Sequence, residues 1–142
     1  MKIRSILIAF VLIAGASTIY WLVNAKRVDN GGVRYFTSEN VKVAAPYINQ
    51  VVASPLAITG EARGTWYFEA SFPVKILDAN GKELGQHYAQ AEGEWMTPEF
   101  VPFKSVLEFE APTTATGILV LEKDNPSGLP EHADEVRVPI RF

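Results

Sequence analysis

Between Trp66 and Ile76 every second residue is apolar. Trp66, Phe68, Ala70, Phe72, Val74 and Ile76 share one parity, and Tyr67, Glu69, Ser71, Pro73 and Lys75 take the other. Successive side chains of a strand leave opposite faces, so a period of two with one apolar parity describes a strand with one buried face. A helix would need its apolar positions three and four apart. Pro73 has no N–H to give to a ladder, which places it at an edge, at a bulge or where the chain changes sheet. Asp78-Ala79-Asn80-Gly81 follows, and Asn-Gly supplies the positive φ that tight hairpins demand, so the chain is expected to return antiparallel through Leu84 to Ala91.

The same alternation recurs. Phe103, Ser105, Leu107 and Phe109 alternate with polar or smaller neighbours, as do Val136, Val138, Ile140 and Phe142. Ile118 to Leu121 is apolar on both parities, the mark of a central strand covered on both sides or packed near a sheet edge. With Ala57 to Ala62 this makes about seven short strands separated by turn signals over residues 48–142, an all-β chain of immunoglobulin-like sandwich type. The chain has no cysteine, so the disulfide that pins the sheets of antibody domains is missing.

Ahead of this lies an apolar run, Ile6 to Val23, flanked by Lys2 and Arg4 before it and by Lys26 and Arg27 after it. A charge-free run of that length is enough to cross a bilayer as one helix. Residues 1–27 therefore read as a single N-terminal membrane anchor, with Tyr20 and Trp21 where aromatic rings settle at the interface. Cleavage after Ala14-Gly15-Ala16 or Val23-Asn24-Ala25 would instead give a secreted form. Residues 28–47 read as a spacer, with Tyr35, Phe36 and Val41-Lys42-Val43 able to dock on the domain or add a strand. Fully extended, these 20 residues reach on the order of 65 Å. The expected placement is a single-pass protein of the cell membrane whose C-terminal domain lies outside the cytoplasm.

Charge narrows the partners. Four of the 13 basic residues flank the apolar run and all 16 acidic residues follow it, leaving nine against sixteen, a net of -7, on the exported part. Phosphate binding needs clustered Lys and Arg, so this sign argues against a nucleic-acid partner, and it argues equally against the domain lying flat on anionic lipid.

The run Ser54-Pro55-Leu56-Ala57-Ile58-Thr59-Gly60-Glu61-Ala62, the strand ending in Leu77-Asp78-Ala79-Asn80-Gly81, the Phe103 to Phe109 strand and the turn Asp124-Asn125-Pro126-Ser127-Gly128-Leu129-Pro130 stand in an order that resembles the immunoglobulin-like domain of bacterial spore germination proteins. The resemblance covers Val51 to Phe142. It implies a bacterial, extracytoplasmic, immunoglobulin-like module of the kind appended to germination or envelope modules, with no established enzymatic activity. The recurring residues have structural reasons of their own: Pro55 biases Ser54 toward extended geometry, and Gly60 and Gly64 permit a bulge or a close backbone approach.

Catalysis lacks parts. The only histidines, His87 in a predicted strand and His132 in an acidic loop, have no nucleophile motif beside them, and paired carboxylates such as Glu92 and Glu94 read as solubilising surface. No cofactor is implied. Asp124, Asn125, Glu131, Asp134 and Glu135 are oxygen donors of the kind calcium takes, yet their spacing matches no EF-hand, and a solvated acidic loop at 124–135 is the simpler reading. The candidate interaction surface is the loop Gly93 to Phe100, with Trp95, Met96 and Phe100 as residues of the hot-spot type. Trp95 can also fold back as a plug on the open end of the sandwich. Trp66 and Tyr67 have opposite parity, so one of them, here assigned as Tyr67, is expected to face outward. The partner is an envelope protein, or else a cell-wall glycan stacked on exposed rings.

Overall fold

Eight strands carry the fold: β1 (Phe36–Thr37), β2 (Val41–Ala45), β3 (Leu56–Arg63), β4 (Ser71–Asp78), β5 (Glu83–Ala91), β6 (Phe100–Leu107), β7 (Thr116–Glu122) and β8 (Glu135–Arg141). Single 3-10 turns at Gly64–Trp66 and Pro130–His132 are the only helical pieces among the described residues. The computed structural model describes residues 32–142; the apolar run and its basic flanks lie outside them. Among the described residues no helix is long and apolar enough to cross a membrane.

Neighbouring strands pair antiparallel in the order β1-β2-β3-β6-β5-β4-β7-β8. β3 and β6 pair from Leu56↔Leu107 to Arg63↔Phe100, whereas β5 meets β6 only at Gln90↔Lys104 and Ala91↔Phe103. At this short seam the sheet folds over itself. Phe72 on β4 and Phe103 on β6 meet edge to face with ring centroids 5.0 Å apart, although β5 lies between their strands in the ladder. The result is a sandwich of two leaves, β1-β2-β3-β6 and β5-β4-β7-β8.

The alternation explains the core. Val41 and Val43, Leu56 and Ile58, Phe72, Val74 and Ile76, Val101, Phe103 and Leu107, Leu119 and Leu121, and Val136, Val138 and Ile140 all point into one cluster. Burying each side chain of this size contributes about 1.5–3 kcal/mol. Val120 is fully buried but stands outside that cluster. Register puts it between Lys75 and Arg137 on the outer face of its leaf, beside the Lys75–Glu122 ion pair, so β7 is covered on both sides. On the far side the β2–β3 connection seals the sandwich. The Asn49 and Val52 N–H groups donate to Pro139 O and Arg141 O, both at 2.8 Å, and Arg141 N–H donates to Gln50 O at 2.9 Å.

Three local features differ from the sequence pattern. The alternation from Trp66 to Ile76 is not one strand: Glu69 (φ 50°) and Ala70 (φ 63°) are left-handed, and Phe68 and Ser71 exchange N–H···O bonds at 3.0 and 3.1 Å across that tight turn. Parity cannot pass through a 3-10 turn followed by a reversal. Trp66 and Tyr67 are therefore both buried, and Phe68, on the apolar parity, is exposed. Secondly, part of the segment read as spacer belongs to the sheet. Phe36↔Val43 joins β1 to β2, Val41↔Ala62 joins β2 to β3, and Val41 and Val43 are core residues. Thirdly, in the Asp78–Lys82 turn only Gly81 has positive φ (82°), while Asp78 Oδ1 accepts from the N–H groups of Asn80 and Lys82 at 2.8 and 2.9 Å. Pro73 lies one residue beyond the β4–β7 ladder, which begins at Val74, so its missing N–H breaks no bond there.

Candidate interaction surface

The strands define two ends. The described chain enters at one of them, where Arg34 O accepts from Ile48 N–H at 2.8 Å; this proximal end also carries residues 46–55, 79–82 and 108–115. The opposite, distal end carries residues 38–40, 64–70, 92–99 and 123–134. Its loops are tied to one another by backbone bonds: Arg63 N–H to Asn40 O (2.9 Å), Gly64 N–H to Glu99 O (3.0 Å), Ala91 N–H to Ala70 O (2.8 Å) and Asp124 N–H to Trp66 O (3.0 Å).

The four sequence candidates have different fates. Tyr67 is buried; its hydroxyl donates to Val101 O at 2.7 Å and its ring meets Phe72 edge to face at 5.1 Å. Burial pushes its phenol far above the ordinary range, and a backbone hydrogen bond from Ala62 opposes the rise only in part. Trp95 packs against the core, as a plug would. Met96 is 73% exposed, with its N–H held by Glu94 Oε1 at 3.0 Å. Phe100 lies half-buried at the start of β6, where Lys42 Nζ and Arg63 Cζ each sit 4.0 Å from its ring centroid. The ring is thereby occupied by two cations of its own chain. The loop's course depends on Gly64, because a Cβ there would collide with the carbonyl oxygens of Thr97 and Trp95.

Two exposed apolar residues join Met96 at the distal end: Phe68, exposed by its turn, and Leu129, both near half exposure. The apolar alternation concealed Phe68. Leu129 was legible as a lone apolar residue in a polar turn.

The distal end is strongly acidic. Glu39, then Glu69, then Glu92, Glu94 and Glu99, and finally Glu122, Asp124, Glu131, Asp134 and Glu135 lie in its loops or at the strand ends bordering them, against Arg63 and Lys123. Ten acidic and two basic residues stand there, and Lys104, Lys75 and Arg137 pair with Glu92, Glu122 and Glu135, which leaves a net of -5 at this end of the domain. The crowding is visible at Asp124, whose carboxyl is held above the usual carboxylate range by partial burial first and by the neighbouring charge of Glu69 second. Even so, among the described residues no three His, Asp or Glu side chains come together in a way that could hold a metal ion. A cavity of about 250 Å³ opens between the β1–β2 turn, Trp66 and the start of β8, lined by Asn40, Asp134 and Glu135, and the Trp66 indole N–H is buried with no acceptor.

The catalytic candidates are dispersed. His87 is an exposed residue of β5 opposite Val74, and His132 is exposed in the Pro130–His132 turn. Glu92 is paired with Lys104 at 3.1 Å and Glu94 caps its own loop, so these carboxylates hold structure rather than face a common point.

A two-leaf antiparallel sandwich without cysteines, with loops gathered at its two ends, defines an immunoglobulin-like module. The model of the immunoglobulin-like domain of bacterial spore germination matches residues 40–128, and the chain belongs to that family. The match begins beside β2, in agreement with the core positions of Val41 and Val43. No curated protein and no solved structure matches the chain.

Proposed function

We propose that this chain is a membrane-anchored, extracytoplasmic immunoglobulin-like module that catalyses no reaction and binds a protein partner through its distal end. The observation that carries the reading is the concentration there of three exposed apolar side chains, Phe68, Met96 and Leu129, among a net of -5. Apolar anchors within a charged surround are how protein interfaces are built, and the sign of the charge selects a basic partner. The exposed rings are poorly placed for a glycan: Tyr47 lies at the proximal end, Phe68 at the distal end and Tyr88 on β5, so they form no row along which successive sugars could stack.

Photo-crosslinking in intact cells tests this, with the crosslinker placed at Met96 or, for comparison, at Tyr88. A discrete protein adduct from position 96 that disappears in high salt is expected, with none from position 88. Equal adducts from both positions would refute the distal-end assignment. Retention of the full chain on purified peptidoglycan, lost on Trp95→Ala, would favour the glycan instead. External protease removing the domain from intact cells is expected for an extracytoplasmic module, and full protection would overturn that placement.

A further inference from the structure

The two ends differ in more than charge. Residues 46–55, the longest loop of the proximal end, contain no charged residue, and they hold Tyr47 and Val51, 37% and 60% exposed. These side chains are presented rigidly. Tyr47 N–H donates to Gln50 Oε1 at 3.0 Å, Gln50 N–H donates back to Tyr47 O at 3.1 Å, and the Asn49 and Val52 bonds to β8 fix the segment on each side. Two exposed arginines flank it. Arg34 is held through its carbonyl by Ile48, and Arg141 pairs in parallel with Val51; neither side chain forms an ion pair with another described residue. The acidic residues of that end are partly used up: Glu110 pairs with Lys82 at 3.1 Å and the buried Asp78 holds its own turn, leaving Glu83 and Glu108.

We propose that the proximal end rests on an anionic phospholipid surface, with Tyr47 and Val51 as its apolar contacts and Arg34 and Arg141 facing the headgroups. This rests on the anchored arrangement proposed above. The tether supports it: nine Cα steps separate Val23, the end of the apolar run, from Gly32, which span at most about 30 Å. Strands of seven to nine residues are about 23–30 Å long before any loop is added, so a tether this short leaving the proximal end leaves no room for the domain to stand inverted on its distal end. Repulsion acts in the same direction, since anionic lipid disfavours an end with a net of -5 more than the proximal end, where Arg34, Lys82 and Arg141 stand against Asp78, Glu83, Glu108 and Glu110, a net of -1. Aromatic and basic side chains at the headgroup level complete the contact.

The absence of cysteine makes the test direct. The full chain is reconstituted into phosphatidylcholine vesicles with 30% phosphatidylglycerol, carrying a fluorophore on Val51→Cys or on Met96→Cys, and quenching by a headgroup spin-labelled lipid is measured. Quenching at position 51 is expected to exceed that at position 96 at least threefold, and to fall at least twofold in pure phosphatidylcholine or with Arg34→Glu and Arg141→Glu combined. Tyr47→Ser, another exposed substitution, should lower it as well, and the urea midpoint of each variant checks that it is folded. Equal quenching at the two positions overturns the proposal, as does indifference to lipid charge and to the charge reversals. Flotation after alkaline carbonate extraction reads the anchor separately: a chain that floats but shows equal quenching refutes only the resting contact, whereas a chain that does not float refutes both.

Discussion

Replacing Tyr67 with phenylalanine separates a structural role from a binding one. Only one oxygen is removed, and the ring that meets Phe72 at 5.1 Å stays in place. What goes is the bond from the hydroxyl to Val101 O at 2.7 Å, which fastens the turn after β3 to the start of β6. An intramolecular hydrogen bond contributes about 0.5–1.5 kcal/mol net, and the penalty moves toward the upper figure when a buried acceptor loses its donor. With a urea m-value of about 2 kcal/mol/M, a loss of about 1.5 kcal/mol lowers the midpoint by about 0.7 M. Urea titration of the full chain in detergent, followed by near-ultraviolet circular dichroism, measures it. The pH dependence gives an independent check. Burial raises the folded-state pKa of this phenol above its ordinary 10.0, so its contribution is fully present below pH 10 and is lost as pH rises through the folded value. The phenylalanine of the variant cannot ionise. The stability gap between the two proteins should therefore be constant up to about pH 10 and shrink above it. A midpoint change under about 0.2 M, or an alkaline limb that is the same in both proteins, would refute the buried-bond account.

Gly64→Ala should cost at least about 2 kcal/mol, because the added methyl meets backbone carbonyls of Thr97 and Trp95 that cannot rotate away. Loss of the loop's seat would also shift tryptophan emission to the red as Trp95 leaves the core; a variant with wild-type urea midpoint and emission would show that the loop does not lie on Gly64. Gly81→Ala should cost only about 1 kcal/mol, since its φ of 82° is unfavourable for alanine but nothing lies within 4 Å of the new Cβ. Gly81→Asn should recover part of this, and a loss equal to that of Gly64→Ala would refute the distinction. Glu69→Gln should lower the pKa of Asp124, read by NMR titration, because it removes a neighbouring charge that raises it. Since the folded state favours neutral Asp124, that contribution is present below the unfolded pKa and lost above the folded one. Asp124→Asn should accordingly stabilise the domain at pH 7 and leave it unchanged at pH 3, as melting curves at the two pH values would show.

The legible parts of this fold are those where side-chain parity and backbone path agree. Phe72, Val74 and Ile76 alternate and are core; so are Val136, Val138 and Ile140, and the glycines at 60 and 64 mark close backbone approaches as their chemistry suggests. Parity misled at Trp66–Phe68, because a left-handed Glu69-Ala70 pair reverses the chain without any glycine or proline to announce it. A glutamate and an alanine at positive φ have no sequence mark; the surrounding backbone bonds impose them. β1 and β2 were obscure for another reason. A two-residue strand shows no period at all, and Val41-Lys42-Val43 is too short to be told from a chance alternation until Ala62, Gly60 and Phe36 are found beside it. For the surface, exposure depends on which loop covers which end, so Met96 and Trp95, adjacent in sequence, part company once Gly64 draws Trp95 against the core.

The crowding of carboxylates at the distal end has a consequence for the partner proposed above. Asp124 is already held above the usual carboxylate range by burial and by Glu69, so part of the like-charge cost at that end is present in the unbound domain. A basic partner would relieve that cost, and linkage then requires the reverse effect: binding lowers the pKa of Asp124, and protonation of the acidic end weakens binding. Exposed charges act over about 8 Å at physiological salt, so this coupling is strong only where the partner's cations come close to the loop 123–134. Phe68, Met96 and Leu129, being uncharged, are not weakened by screening. A partner gripped chiefly by those three side chains would therefore lose no affinity as salt rises or pH falls, whereas one selected by charge must lose affinity along both axes together.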